Sequence, residues 1–335
     1  MIRRDAKVLV IIVARIGDTL LVTPALRALK AATPQGRLSV LAHPKRLEVL
    51  QHLPFIDALE GITKTSAQAK GWIGNKRYDV ALVYGRDAAL VRYALRASDA
   101  VIAFGQREAT LNRRLAHLVP EPSAPQYAVL HRLSLLAPLG VAATDLRLAY
   151  SVSGEERDWA RRWLMAQVPA GRPLIGLQIA SFPTKAHRDW PVACFRELIG
   201  RIAAAHPQAR FLLLGDAAAA AKARPLLSAY PRQVVLAAGK LSLRQSAALM
   251  AELDLYVGVD TGPTHIAGAL GVPMVALYHS AYPGRNLAPL QHPACAVIEH
   301  PQTGNSAAIT ASMADIAVAT VLQAAMDLLA RGTKR

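Results

Sequence analysis

Residues 7–13 read Lys-Val-Leu-Val-Ile-Ile-Val, an apolar, β-branched run of the kind that is buried on both faces of a parallel sheet. A helical pattern follows, with Leu20, Leu21, Ala25, Leu26 and Leu29 on one face. Pro24 allows two readings here. The helix either starts after Gly17 and bends at Pro24, or starts with Thr23 as N-cap and Pro24 in its first turn. Further strands are expected at 38–42, 80–84 and 100–104 with helical stretches between them, the βαβα rhythm of a doubly wound sheet.

A second series of the same kind starts near residue 174, with strands expected at 174–179, 211–214, 234–236, 255–259 and 274–277. Residues 192–204 have the pattern of an amphipathic helix, and the alanine run at 217–223 favours helix by propensity. Between the two series, residues 119–125 read as a Pro-rich surface loop and the stretch to Leu139 as a helix. Ser153 and Glu156 form a capping box for a helix running through Trp163, and Pro169-Ala170-Gly171-Arg172-Pro173 marks a domain boundary.

With 335 residues, the chain is expected to form two domains of about 150 residues each. The expected division is 1–168, 169–312 and a closing segment 313–335 whose helix can pack back on the first domain. The fold class is α/β: two Rossmann-like doubly wound domains facing a central cleft, with ligands at the carboxyl ends of the strands. No internal sequence repeat is visible.

The formal net charge of +16 calls for an anionic partner. The basic residues are dispersed, only 5% of residues are aromatic, and no helix-turn-helix, zinc-finger or RNP-type signature is present. A polyanionic substrate or an anionic membrane surface is therefore expected, and no nucleic acid. The most apolar run is residues 8–14, far short of the roughly 20 needed to span a bilayer, so a cytoplasmic location is expected. Cys194 and Cys295 lie near no second cysteine and no histidine cluster, so neither a disulfide framework nor a metal site is expected. No Gly-x-Gly-x-x-Gly follows the first strand, which disfavours a dehydrogenase.

Three segments can carry chemistry. In Asp260-Thr261-Gly262-Pro263-Thr264-His265 a strand ends and a short apolar helix begins, with Pro263 in its first turn. The backbone N–H groups around Thr261 and Gly262 make that helix start a ready anion site, and equally an ordinary capped turn. His265 taken alone is more often a structural histidine. In the second segment, Gly17 and Asp18 follow the first strand. Asp18 is the only acid between Lys7 and Glu48, placed either as a general base or as a helix N-cap, with Arg15 beside it. The third segment, residues 179–195, supplies Ser181, Thr184, Lys185 and Arg188 ahead of Trp190-Pro191. Cations and hydroxyls on such a loop suit a diphosphate, or simply face solvent.

Together these segments resemble glycosyltransferase family 9, the ADP-heptose:lipopolysaccharide heptosyltransferases. The resemblance lies in Gly-Asp-Thr-Leu-Leu-Val-Thr-Pro-Ala-Leu from Gly17, Arg-Asp-Trp-Pro from Arg188, and Asp-Thr-Gly-Pro-Thr-His-Ile-Ala-Gly-Ala-Leu-Gly-Val-Pro from Asp260. Lesser similarities at 53–57 and 78–83 extend it over nearly the whole chain.

The resemblance implies a GT-B fold and an inverting, metal-independent transfer of heptose or a related sugar, with no cofactor. The implied donor is a nucleotide sugar, ADP-heptose. The implied acceptor is the anionic lipopolysaccharide inner core, at the inner face of the cytoplasmic membrane, where a basic enzyme can dock peripherally. Asp18 would be the base, with Gly17 and Arg15 at the acceptor or in the turn. Ser181, Thr184, Lys185, Arg188, Asp260, Thr261, Gly262, Pro263 and His265 would bind the donor. Where the family's loop carries lysine this chain has Arg188, with Lys185 three residues earlier, and either can reach the diphosphate. Where the family continues with a Gly-Pro-Thr-like turn, this chain has His279-Ser280-Ala281-Tyr282-Pro283-Gly284-Arg285. Two alternatives stand beside this reading: a non-catalytic nucleotide-sugar binding protein, and a glycosyltransferase of the same fold using another sugar nucleotide.

Overall fold

The computed structural model describes residues 1–70, 76–304 and 310–332. The chain divides into two compact units, Met1–Ser151 and Val152–Arg335.

In the first unit, six strands form one parallel sheet: β1 Lys7–Ile12, β2 Arg37–Ala42, β3 Ala58–Gly61, β4 Tyr78–Tyr84, β5 Ser98–Phe104 and β6 His117–Val119. Their order is β3-β2-β1-β4-β5-β6, a doubly wound arrangement whose direction reverses between β1 and β4. The apolar run of β1 is explained by this central place. Val8, Val10 and Ile12 pack on one face with Leu26 and Leu29, while Leu9 and Ile11 pack on the other with Val91 and Ala94. Neither reading of Pro24 holds in full. A short helix Ile16–Leu20 comes first, and a second, Thr23–Ala32, starts with Thr23 inside it and Val22 as N-cap. The buried Thr23 hydroxyl donates to the Leu20 carbonyl at 2.7 Å and accepts from the Ala149 N–H at 2.9 Å, so it is tied to the backbone on both sides.

The second unit repeats the winding. Its strands are β7 Leu174–Gln178, β8 Arg210–Leu214, β9 Val234–Leu236, β10 Leu255–Val259, β11 Met274–Tyr278 and β12 Cys295–Glu299, all parallel. The order β12-β11-β10-β7-β8-β9 is that of the first sheet when counted from β7, with the reversal between β7 and β10. The two halves share a topology that no sequence repeat announces.

The capping box of Ser153 and Glu156 is present and starts the helix Gly154–Gln167. That helix lies in the second unit, because Glu156 reaches Arg244 on the helix Leu243–Met250, with Arg244 Nε donating to Glu156 Oε1 at 2.7 Å. The boundary therefore falls before this helix and not at the Pro-Gly segment that follows it. The closing helix, Val318–Gly332, places Val321, Ala325, Leu328 and Leu329 in the core of the second unit, where Ile199 and Ile202 of the helix Val192–Ala205 also lie. The apolar face read from the sequence is thus used within the second unit. Among the described residues, no helix is long and apolar enough to cross a membrane.

Candidate active site

In an open parallel sheet, the loops leaving adjacent strands diverge where the winding reverses, and the crevice so formed is the ligand site. All three segments singled out in the sequence lie at such points. In the first unit, Gly17 and Asp18 follow β1, and β4 beside it ends at Tyr84. In the second, the loop with Ser181 through Trp190 follows β7, and Asp260 through Gly262 follows β10.

The helix Gly262–Ala269 has Thr261 as N-cap in extended conformation, Pro263 in its first turn, and no side chain capping it. The Thr261 hydroxyl lies 3.2 Å from that of Thr264, which in turn donates to the Val259 carbonyl and lies 2.9 Å from the Tyr256 hydroxyl. The side chains around this helix start thus bond to one another and to the Val259 carbonyl and not to its first N–H groups. Asp260 is buried, with its Oδ2 accepting from Arg188 Nη1 at 2.7 Å and its Oδ1 3.6 Å from His265 Nε2. His265 is buried as well, and its Nδ1 has no partner among the described residues.

On the facing loop, residues alternate between tying the loop down and facing the site. The Ser181 hydroxyl donates to the Lys185 carbonyl at 2.7 Å, and the Ser181 N–H donates to Asp189 Oδ1 at 2.6 Å. Asp189 Oδ2 takes a further bond from Lys222 at 2.6 Å. Trp190 is fully buried, its Nε1–H donating to the Ile316 carbonyl at 3.0 Å and its ring edge-on to Phe195. Thr184 is exposed. Ser181 therefore acts as a loop fastener, while Arg188 is aimed at Asp260.

In the first unit, Arg15 is exposed and is the N-cap of Ile16–Leu20, without a side-chain bond. Asp18 lies in the first turn and is not the cap, so its carboxylate is not spent on the helix start. Instead it accepts from Arg132 Nη2 at 3.2 Å and remains 42% exposed, open to a substrate. Arg132 sits in the last turn of the helix Ala128–Leu133, and its Nε is buried without a partner among the described residues. Tyr84 lies within reach of the Arg132 charge. Burial raises its phenol pKa above the ordinary value, and the phenol oxygen has no partner among the described residues.

The neighbours of these residues, Arg132, Tyr84, Asp189 and Lys222, are marked by no local pattern in the sequence. Arg132 lies 114 residues from Asp18, and no local pattern connects the two. Tyr282 did leave a trace, since it stands in the turn where this chain departs from the Gly-Pro-Thr pattern.

The sequence profile of glycosyltransferase family 9 (heptosyltransferase) matches residues 69–317. Lipopolysaccharide heptosyltransferase 3 of Escherichia coli is 27% identical over 281 residues, covering 78% of this chain and 80% of that one. Among solved structures, a family 9 glycosyltransferase from Veillonella parvula superposes with a TM-score of 0.82 at 21% identity, over 98% of this chain and 99% of that chain. The E. coli ADP-heptose lipopolysaccharide heptosyltransferase II does so with a TM-score of 0.76 at 22% identity, with the same coverage. The fold is thus GT-B, as expected, and the chain belongs to glycosyltransferase family 9, the heptosyltransferase family.

Proposed function

We propose that this enzyme transfers heptose from ADP-heptose to the lipopolysaccharide inner core, with inversion at the anomeric carbon. The observation that carries the reading is the placement of the Asp18 and Asp260 motifs, each at the reversal point of its own sheet. The names of its relatives support the same reaction: one is a lipopolysaccharide heptosyltransferase, and a solved neighbour is described as an ADP-heptose enzyme.

In this reading, Asp18 takes the proton of the acceptor hydroxyl as its oxygen attacks the anomeric carbon. The bond from that carbon to the diphosphate breaks, and ADP leaves. Charge developing on the diphosphate is met by the N–H groups at Thr261 and Gly262 and by Arg188. Asp260 orients Arg188, while Pro263 presets the helix start. His265 lies behind Asp260 and keeps its Nδ1 for a donor group. Gly17 and Arg15 flank the base on the acceptor side. The +16 charge suits a cytoplasmic enzyme docked peripherally on the anionic inner face of the membrane, at about 1 kcal/mol per well-placed basic side chain.

The test is turnover of ADP-heptose with a heptose-deficient core acceptor by the purified enzyme and by Asp18→Ala. Asp18→Ala should lose transfer while keeping its affinity for ADP. ADP binding with no transfer to any core acceptor by the unaltered protein would favour a non-catalytic binder. A stronger response to UDP or GDP sugars would replace the donor.

A further inference from the structure

Tyr282, in the turn after β11, carries two cations on one ring. Arg188 Cζ stands 3.6 Å from the ring centroid and Lys185 Nζ stands 5.6 Å from it. Two like charges this close repel, and the negative face of an aromatic ring is one of the few uncharged groups that attracts both. Arg188 is restrained on a second side by Asp260, which accepts from its Nη1 at 2.7 Å, while its Nε is buried and has no partner among the described residues. One edge of the guanidinium is thus pinned, its Cζ is held over the ring, and an N–H is left unused. A lysine could not do this, because only a planar guanidinium stacks while spending an in-plane N–H on a carboxylate.

The ring itself has fixed surroundings. His279 is fully buried, its Nε2–H donating to the Ala311 carbonyl at 3.0 Å and its Nδ1 accepting from the Ala281 N–H at 3.1 Å. The His187 and His279 rings flank Tyr282 at centroid distances of 6.0 and 6.4 Å. The Tyr282 phenol is held below its usual pKa, chiefly by a hydrogen bond from Arg188, with the Lys185 and Arg188 charges adding to it and burial opposing.

We propose that Tyr282 is a positioning residue that gathers Arg188 and Lys185 into a two-cation receptor for the donor's diphosphate. It follows that both cations serve the donor, and that the chain uses arginine where its family carries lysine because Tyr282 occupies the departing turn. The inference rests on the reading that the donor phosphates lie at Thr261 and Gly262.

The test is calorimetric titration of the full-length protein with ADP and with AMP, for the unaltered chain, Tyr282→Phe, Tyr282→Leu and Arg188→Lys. Tyr282→Leu should weaken ADP about tenfold, equivalent to about 1.4 kcal/mol, while AMP changes little. Tyr282→Phe keeps the ring but removes the phenol oxygen that Arg188 and Lys185 also reach, so it should retain most of the ADP affinity that Tyr282→Leu loses. Arg188→Lys should cost about as much as Tyr282→Leu, and the two together no more than either alone, because each removes the same stack. Equal losses for ADP and AMP, or strictly additive losses in the double variant, would overturn the proposal. A thermal melt of each variant separates misfolding from lost affinity, and normal ADP affinity in a folded Tyr282→Leu would also refute the receptor. Failure of the unaltered protein to bind ADP would instead sink the donor reading, and this inference with it.

Discussion

Arg188 Nη1 donates to Asp260 Oδ2 at 2.7 Å, and the two side chains are only 16% and 6% exposed. The pair joins the loop after β7 to the turn after β10, the two segments at the reversal point of the second sheet. Removing one partner of such an enclosed pair strands the other's charge, typically at a cost of about 3–5 kcal/mol. Asp260→Ala is therefore expected to lower the unfolding free energy by about 3 kcal/mol, measured by denaturant titration. A double variant, Asp260→Asn with Arg188→Gln, leaves no stranded charge and should lose less than the sum of its single changes. Additive losses would mean that the two groups do not act as a pair.

What could be read from the sequence follows from how local each signal is. The central strands β1, β7, β10 and β11 are apolar runs, because a strand buried on both faces has no reason to alternate. The edge strands β3, β6 and β12 escaped notice. β3 and β6 are short and largely unburied, with Glu60 and His117 exposed, so neither an apolar run nor an alternation marks them, whereas β12 carries the apolar run Cys-Ala-Val-Ile at a sheet edge where Val297 is exposed. Asp18, Arg188 and Asp260 are legible as candidates because each lies in a segment that leaves the end of a legible strand. Their partners were harder to find. The Asp18–Arg132 bond depends on how a helix more than a hundred residues later returns to the end of β1, which is a tertiary fact with no local pattern. The boundary near 169–173 was misjudged for a related reason. The Pro-Gly segment ends a helix, but the bond from Arg244 to Glu156 assigns that helix to the second unit.

With Asp18 as the proposed base, Arg132 should matter to the rate by holding it. Its Nη2 holds one carboxylate oxygen at 3.2 Å, and a misplacement of about 1 Å at a reacting group can cost about a hundredfold. Arg132→Ala is expected to lower kcat between about tenfold and a hundredfold while ADP affinity stays unchanged. Arg132→Lys, which keeps the charge but not the fork of N–H groups, should recover only part of the loss. Steady-state kinetics with a parallel ADP titration would decide, and an unchanged kcat in Arg132→Ala would rule out this positioning role.

Trp190 tests whether the loop after β7 is anchored from below. Its ring is fully buried against Phe195 and its N–H is bonded to the Ile316 carbonyl. Trp190→Ala should cost about 3–5 kcal/mol, as large-to-small changes in a packed core do. Trp190→Phe keeps much of the apolar volume but leaves the Ile316 carbonyl unbonded, so it should cost about 1–3 kcal/mol. Because Arg188 lies two residues upstream, Trp190→Phe should also weaken ADP binding, which a titration at a temperature where the variant is folded would reveal. Unaltered ADP affinity would show that the loop holds its shape without this anchor.

Glu156 gives the protein a defined response to acid. Burial pushes its carboxyl pKa up, but the bond from Arg244, the Ser153 N–H and the Arg244 charge outweigh burial and hold it below the ordinary 4.5. With the folded-state pKa lowered, the unfolded chain binds the proton more readily, so falling pH favours unfolding. The stabilisation is fully present above the unfolded value near 4.5, declines as pH falls towards the folded value, and is absent below both. Glu156→Gln should therefore be less stable than the unaltered protein at neutral pH, and the gap should close in acid. Denaturation midpoints measured from about pH 7 down to about pH 3 would show the two curves converging. A constant gap across that range would mean that Glu156 stabilises its helix only as a neutral capping group, with the Arg244 charge contributing nothing.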